Sequence, residues 1–477
     1  MNEKKGISTL DFFCIGFGAI VGVGWAINMN RWMNNGGGPI PTALGYLLCL
    51  LIMVPIALCY CELCGMFPVA GGGVAYAHKA FGERVAFASG WAGLGAFITI
   101  IPWEAIYVVD MLNIFIPQLK EGEPLYRLAG TDIYPGHLIF GTVFSVILFY
   151  INYKGTQTSA VVQRILCLAL TGSGILTIIF CAFRFNAANL QPVYANLGSG
   201  NHSTFMGGVF YTLATIPFYL SGFETIPQAI EGADSKQSSV GKTVVLSVSL
   251  AAIFYMLLFI FLGAAVPWQE YAAYPVPAGS ILIRNVYPGI LGKVMYVIIL
   301  IGGVAGLLST WNGFMMASSQ LIMSLGRASM LPHGLAKQHP KYGTPVRALV
   351  ICLVFSIIGP FLGMGLIDPL TSFAAGAFVV SWLISATSLV RLRNKQPNLN
   401  RPYKIPGGKV TATYSALTMA ALLALLLIPS SPAYMGTTAI ILFICWMVLG
   451  VILFAANTKS RNRFTPEERS SHLFDRA

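Results

Sequence analysis

GFGAIVGVGWA, from Gly16 to Ala26, and FYLSGFETIP, from Phe218 to Pro227, decide the fold. Each lies within a long apolar stretch and is rich in residues that interrupt helices. The first carries Gly16, Gly18, Gly22 and Gly24; the second places Ser221 and Gly222 between Pro217 and Pro227. A helix in lipid keeps its backbone hydrogen bonds internal, because hydrocarbon offers no other partners. A span with such residues at its centre is expected to unwind there and free both N–H groups and carbonyls. Free N–H groups at a half-helix start suit a carboxylate or another anion. Free carbonyls at a half-helix end suit an ammonium group, so two gaps side by side suit a zwitterion. Close packing through small residues is the competing explanation for the glycines. Position favours unwinding. The two stretches fall five helices apart, in equivalent places if helices 1–5 and 6–10 are two repeats, which is the pointer to an inverted-repeat transporter with a midplane site.

The rest of the chain fits that frame. Of its 477 residues 56% are apolar and 10% charged, and the mean hydropathy is +0.72. Soluble proteins carry about 25% charged residues, so a soluble enzyme, a disordered regulator and a secreted disulfide scaffold are all excluded. A bilayer core of ~30 Å takes about 20 apolar residues per helix. Twelve stretches qualify: 11–34, 40–65, 87–113, 136–153, 160–183, 205–230, 242–266, 291–324, 346–364, 367–391, 411–429 and 434–456. The fold class is an all-α membrane protein with twelve transmembrane helices. An even number places both ends on one side, and twenty-three of the 29 Lys and Arg residues fall on the side of the termini. The positive-inside rule makes both termini cytoplasmic in a multi-pass protein of the cytoplasmic (inner) membrane.

This divides the chain into a cytoplasmic N-terminus (1–10), a ten-helix core (11–391, repeats about 11–183 and 205–391), a proline-bearing linker (392–410), helices 11 and 12 (411–456) and a cytoplasmic tail (457–477). The apolar segment after Met1–Leu10 reads as a retained helix, since no small-residue cleavage site precedes a polar region. No basic run interleaved with aromatics marks a nucleic-acid surface, despite a net charge of +12. Cys59, Cys61 and Cys64 fit no zinc spacing and have no histidine beside them, so they read as small apolar side chains. Neither cofactor nor structural metal is expected. No H-E-x-x-H, phosphate-binding loop or nucleophile elbow occurs, so no enzyme activity is expected.

Several motifs, in order along nearly the whole chain, resemble those of the amino acid–polyamine–organocation transporters. GFGAIVGVGWA is similar to that family's helix 1 pattern. Tyr60-Cys61-Glu62-Leu63 followed by Phe67–Gly73 resembles the end of its helix 2. Ser221–Glu224 matches its S-G-F-E element, Ser324–Leu349 its connection after helix 8, and Arg401–Gly408 its link before helix 11. The resemblance implies the leucine-transporter-like fold, a 5+5 inverted repeat plus two C-terminal helices, moving an amino acid or related amine. It implies that the backbone at Gly22, Val23 and Gly24 meets the substrate carboxylate. The carbonyls near Ile20 and Phe218 then meet its amine, and Phe218 is an aromatic gate. Val23 stands where the family often has Ser, and Trp25 is larger than the usual aliphatic residue. Both count against a plain α-amino acid, and Trp25 with Glu104 motivates an alternative solute, a cationic amine without a carboxylate such as a polyamine or amino alcohol. A sensor that keeps the fold without transport is a further alternative.

Other side chains complete the candidate set. Glu224, next to Phe223, reads either as a proton-coupling or gating acid or as a staple for the unwound backbone. On helix 3, Trp103 and Tyr107 share a face with Asp110, and Glu104 lies beside it as a counter-charge for a cation. Asp110 reads as an interfacial acid. Helix 8 offers Asn312 and Phe314, and a Ser309–Thr310 pair that reads as a weak sodium site or as hydroxyls bonded to their own helix. Some family members use a lysine on helix 5, where Leu170 stands here. Coupling by exchange, by protons or by sodium stays open. Glu62 and Arg164 read as members of salt bridges near the cytoplasmic ends.

Overall fold

Ser8 starts the first helix with a capping box: its Oγ accepts the Asp11 N–H at 3.3 Å, and the Asp11 carboxylate accepts the Ser8 N–H at 3.1 Å. In the computed structural model, which describes residues 6–197, 202–234, 237–275 and 277–474, this helix, α1, runs Thr9–Val21 and then stops. The chain resumes as α2 (Gly24–Ile27) and α3 (Met29–Gly36). The expected span 11–34 is therefore three pieces. α4 (Pro39–Met66), α5 (Gly73–Phe81), α6 (Glu83–Asn113), α7 (Pro135–Tyr153) and α8 (Thr156–Ala182) follow. The expected span 205–230 is also divided, into α9 (Phe205–Tyr219) and α10 (Thr225–Gln228). Then come α11 (Gln237–Ala265), α12 (Trp268–Ala272), α13 (Ala278–Val286), α14 (Ile290–Arg327), α15 (Val346–Leu362) and α16 (Ile367–Lys395). Gly363, at φ +69°, separates the last two. α17 (Lys409–Leu427) and α18 (Thr437–Ala456) precede the short α19 (Thr458–Arg461) and α20 (Pro466–Phe474).

The architecture is all-helical apart from one small antiparallel hairpin, Tyr126–Leu128 against Thr131–Ile133. Among the described residues, ten helices are long and apolar enough to cross a membrane, with Thr9–Ile27 taken as one; Phe205–Tyr219 and Val346–Leu362 are apolar but shorter. The helices outside the expected spans, α5, α12, α13, α19 and α20, are all too short to span a bilayer.

Burial grades these helices from centre to rim. The apolar window of α6 is 94% buried and that of α18 only 11%, so α6 is central and α18 faces outward. α1 packs against α8, α11 and α14, and α10 against α1 and α14. α17 lies on α16 and α4, outside this group.

Ile7 and α20, near the first and last described residues, dock at one end of the bundle. The Ile7 N–H donates to Gly232 at 2.8 Å. At the other terminus, α20 sets Phe474 against Phe67 with ring centroids 5.9 Å apart and pairs Arg469 with Glu83 at 2.5 Å. The loop after Phe67 reaches the same place, since the Ala70 N–H donates to Glu231 at 2.9 Å. Glu62 is fully buried nearby. It pairs with Arg393 at 2.5 Å and Arg401 at 3.3 Å and accepts the Ile405 N–H at 2.9 Å, which ties α4 to the linker before α17. Arg164 pairs with Asp11 at 3.2 Å.

Candidate functional site

Helix α1 ends because Gly22 turns to φ +50°, a backbone conformation that side chains disfavour. Its N–H still reaches Gly18 at 3.4 Å, and the helix restarts where the Ala26 N–H finds Val23 at 2.9 Å. Between them, among the described residues, the N–H groups of Val23 and Gly24 meet no backbone acceptor. The carbonyls of Ala19 and Ile20 likewise meet no backbone donor. The Val21 carbonyl is taken by the Tyr255 hydroxyl at 2.6 Å, and the Gly18 carbonyl by Thr310 Oγ1 at 3.3 Å.

The second gap runs from Leu220 to Glu224. Ser221 folds back on Phe218, whose carbonyl accepts both the Ser221 N–H at 3.1 Å and its hydroxyl at 2.6 Å. That carbonyl, expected to meet an amine, already has two donors. The carbonyls of Tyr219 and Leu220 meet no backbone N–H among the described residues. Glu224 takes the Gly222 N–H at 2.7 Å, and its other oxygen takes the indole N–H of Trp382 on α16. This is the staple arrangement, with both carboxylate oxygens occupied.

The two gaps touch. Gly222, at φ +122°, lies so close to α1 that a Cβ on it would stand 2.8 Å from the Ala19 carbonyl carbon. Beside this contact is a cavity of about 60 Å3. Ile20, Gly22, Val23 and Gly24 form one wall and Phe218, Tyr219 and Ser221 another. α6 adds Ile100, Trp103 and Glu104, and α14 adds Thr310 and Phe314. Asn28, Trp32 and Tyr255 complete it.

The remaining candidates lie behind these walls. Trp25 packs on Phe254, with centroids 6.3 Å apart. Tyr107 stacks on Trp103 at 4.4 Å, and Asp110 is paired with Lys120. Phe223 sits between Tyr60 and Trp382. Asn312 belongs to a buried polar network that ties α14 to α7 and α8: its carbonyl accepts from Asn152 at 2.9 Å and its amide donates to Gln163 at 2.9 Å. The Gln163 amide in turn donates to Ser309 Oγ at 2.8 Å and to the Cys14 carbonyl at 3.4 Å. Leu170 lies nearly two turns further along α8, packed towards Gly306.

Sequence reasoning missed Asn28, Trp32, Ile100, Tyr219 and Tyr255. Tyr219 adjoins Phe218 in the interrupted stretch, and that adjacency was a usable signal. Tyr255 had none, because it sits inside an unbroken apolar run. Phe218 and Tyr219 also line a hollow of about 220 Å3 toward α16 and α17, and Tyr219 and Trp32 one of about 120 Å3 beside Arg31. There Arg31 and Asp368 approach to 3.4 Å. A third hollow, about 370 Å3, opens on the terminal face and shares no lining residue with the central cavity. There Glu231 pairs with Arg327, and the Gly71 N–H donates to Gln228 at 2.9 Å.

A sequence profile described as amino acid permease matches residues 7–454. The chain belongs to the amino acid permease family. This permease is therefore an integral multi-pass membrane protein of the amino acid–polyamine–organocation superfamily. It is 23% identical to the branched-chain amino acid permease BcaP of Bacillus subtilis, over 96% of this chain and 94% of that one. It is 25% identical to the glutamate/serine transporter AimA of the same organism, over 86% and 76%. It is also 25% identical to the chloroplastic cationic amino acid transporter 9 of Arabidopsis thaliana, over 70% and 57%. The solutes in those names are apolar, acidic and cationic, so membership of the family leaves the charge of this permease's solute to its own cavity.

Proposed function

We propose that the chain is a secondary active transporter, a permease or exchanger, that moves an amino acid or related amine across the cytoplasmic membrane by alternating access. The observation that carries this reading is the contact of two helix gaps, at Gly22–Val23 and Leu220–Glu224, beside one cavity. The unpaired N–H groups of Val23 and Gly24 and the unpaired carbonyls of Ile20 and Tyr219 supply opposite partial charges to one small solute. Relatives named as amino acid permeases support the solute class.

On this reading twelve helices span the membrane. The segments 11–183 and 205–391 are inverted repeats, α17 and α18 stand outside them, and both termini are cytoplasmic. Phe218 and Tyr219 form a thin outer gate, because they line both the central cavity and the hollow toward α16 and α17. The ion pairs Glu231–Arg327 and Asp11–Arg164 belong to the thicker inner gate. Rocking of the gap-bearing helices against the others exchanges the two.

Sodium at Ser309 and Thr310 is the less favoured coupling, because Ser309 Oγ already accepts from Gln163 and the Thr310 hydroxyl is turned to the Gly18 and Gly306 carbonyls; exchange and proton coupling remain. The experiment is counterflow in proteoliposomes loaded with a mixture of amino acids and amines. Accumulation of a labelled solute that stops when Gly22 is replaced by Leu supports the reading; absence of accumulation for every solute overturns it.

A further inference from the structure

Glu104 stands apart from every other buried acid described. Glu62 has two arginines and a backbone N–H, Glu224 has two N–H donors, and Asp11 has Arg164. Glu104 is 2% exposed, lines the central cavity, and has no hydrogen-bond partner on Oε2. Among the described residues, no Lys, Arg or His lines that cavity. A bare carboxylate in a low-dielectric interior is costly unless a cation or hydrogen-bond donors meet it, and an acid at membrane depth marks a site whose partner arrives from elsewhere.

The walls around it suit a cation. Trp103 adjoins it in sequence, and Trp32, Tyr219, Tyr255 and Phe218 line the same space. Trp32 lies 4.6 Å from Tyr219 and 5.5 Å from Tyr255, centroid to centroid. Aromatic faces attract ammonium groups, most strongly once water is excluded. Charge balance decides between solute classes. With Glu104 ionised, a net-neutral zwitterion leaves the cavity with one uncompensated negative charge and a dicarboxylic amino acid leaves it with two, whereas a solute of net charge +1 neutralises it. About 60 Å3 holds several times the ~10–15 Å3 that one water molecule needs, so the solute is small.

We infer that the solute of this permease is a small net-cationic amine whose ammonium group pairs with Glu104 inside the aromatic box. This rests on the permease reading above and narrows it. Two members of the class fit the same chemistry: a monoamine without a carboxylate, and a diamino acid whose side-chain ammonium reaches Glu104.

The test measures thermal stabilisation of the full-length detergent-purified protein by ethanolamine, 1,4-diaminobutane, ornithine, leucine and glutamate, followed by flux of each in proteoliposomes. Stabilisation by at least one of the first three at concentrations where leucine and glutamate do nothing is the expected result. Ethanolamine and ornithine separate the two members of the class. Glu104→Gln, checked for an unchanged melting temperature without solute, should weaken that binding about tenfold to a hundredfold, as loss of a hydrogen bond to a charged group does. Glu104→Asp should recover part of it.

Stabilisation by leucine equal to that by the amines overturns the inference, and needs no variant. So does amine binding that Glu104→Gln leaves intact, or the absence of amine binding. Leucine flux that survives Glu104→Gln keeps the permease reading and ends this one. Amine binding that depends on Glu104 without flux of any solute keeps this inference and ends the permease reading.

Discussion

Gly222 rests on Ala19 with no room for a side chain: a Cβ would stand 2.8 Å from the Ala19 carbonyl carbon and 2.9 Å from the Ile20 nitrogen. Both obstacles are backbone and cannot swing aside, and φ at Gly222 is +122°. Gly222→Ala should therefore destabilise the protein by about 1–3 kcal/mol from overpacking alone, with further loss from the backbone angle. It should abolish flux by prising the two gaps apart. A thermal midpoint and a flux matching the parent would show that the gaps do not need this contact.

Glu224 offers two acceptors to two donors, and glutamine offers one. Glu224→Gln should lose about 1–3 kcal/mol by leaving a buried donor unmet. Trp382→Phe removes the indole donor, so the double variant should cost less than the two single changes added together. Additive losses in a double-mutant cycle would show that the Trp382 contact is incidental.

Gln163 places an amide proton on Ser309 Oγ, one of the two hydroxyls that a sodium ion there would need. Initial flux should be equal in sodium and in potassium media of the same ionic strength. A sodium requirement would show that Gln163 moves away during transport.

Glu62 is 0% exposed, and the side chain of its partner Arg401 is 5% exposed. Removing the acid strands buried positive charge, which costs about 3–5 kcal/mol. Glu62→Ala should lower the melting temperature strongly, and Glu62→Ala with Arg393→Met should recover part of the loss. No recovery would place the damage in packing instead of charge.

Phe218 and Tyr219 are the wall between the central cavity and its neighbour toward α17. Phe218→Ala should weaken apparent solute affinity with little change in the melting temperature, because Phe218 is only partly buried. Unchanged affinity would assign the gate to Tyr219 and Trp32.

The helix gaps were legible because their cause is local: Gly22, Gly222 and the flanking prolines specify the backbone where they stand. Glu104 was legible because a charge inside an apolar run is conspicuous. The partners of these groups were not. Trp382 meets Glu224 across 158 positions of chain and Tyr255 meets Val21 across 234, and no periodicity reports such distances. Gln163 escaped notice because an uncharged amide on a buried helix carries no signature until its bonds to Ser309 and Asn312 are seen. The Ser8 capping box begins α1 earlier than hydropathy alone indicated, since caps are polar and lie outside an apolar window.

The seat of α20 gives the chain's end a use beyond anchorage. Its Phe474 leans on Phe67, and the segment leaving Phe67 reaches α10 through Ala70 and Gly71. A fluorophore attached just past α20 is thus mechanically connected to α10, the half-helix that follows the second gap, and its emission should report turnover in real time. The same connection warns against bulky fusion partners there, which would brace the moving parts they were meant only to mark.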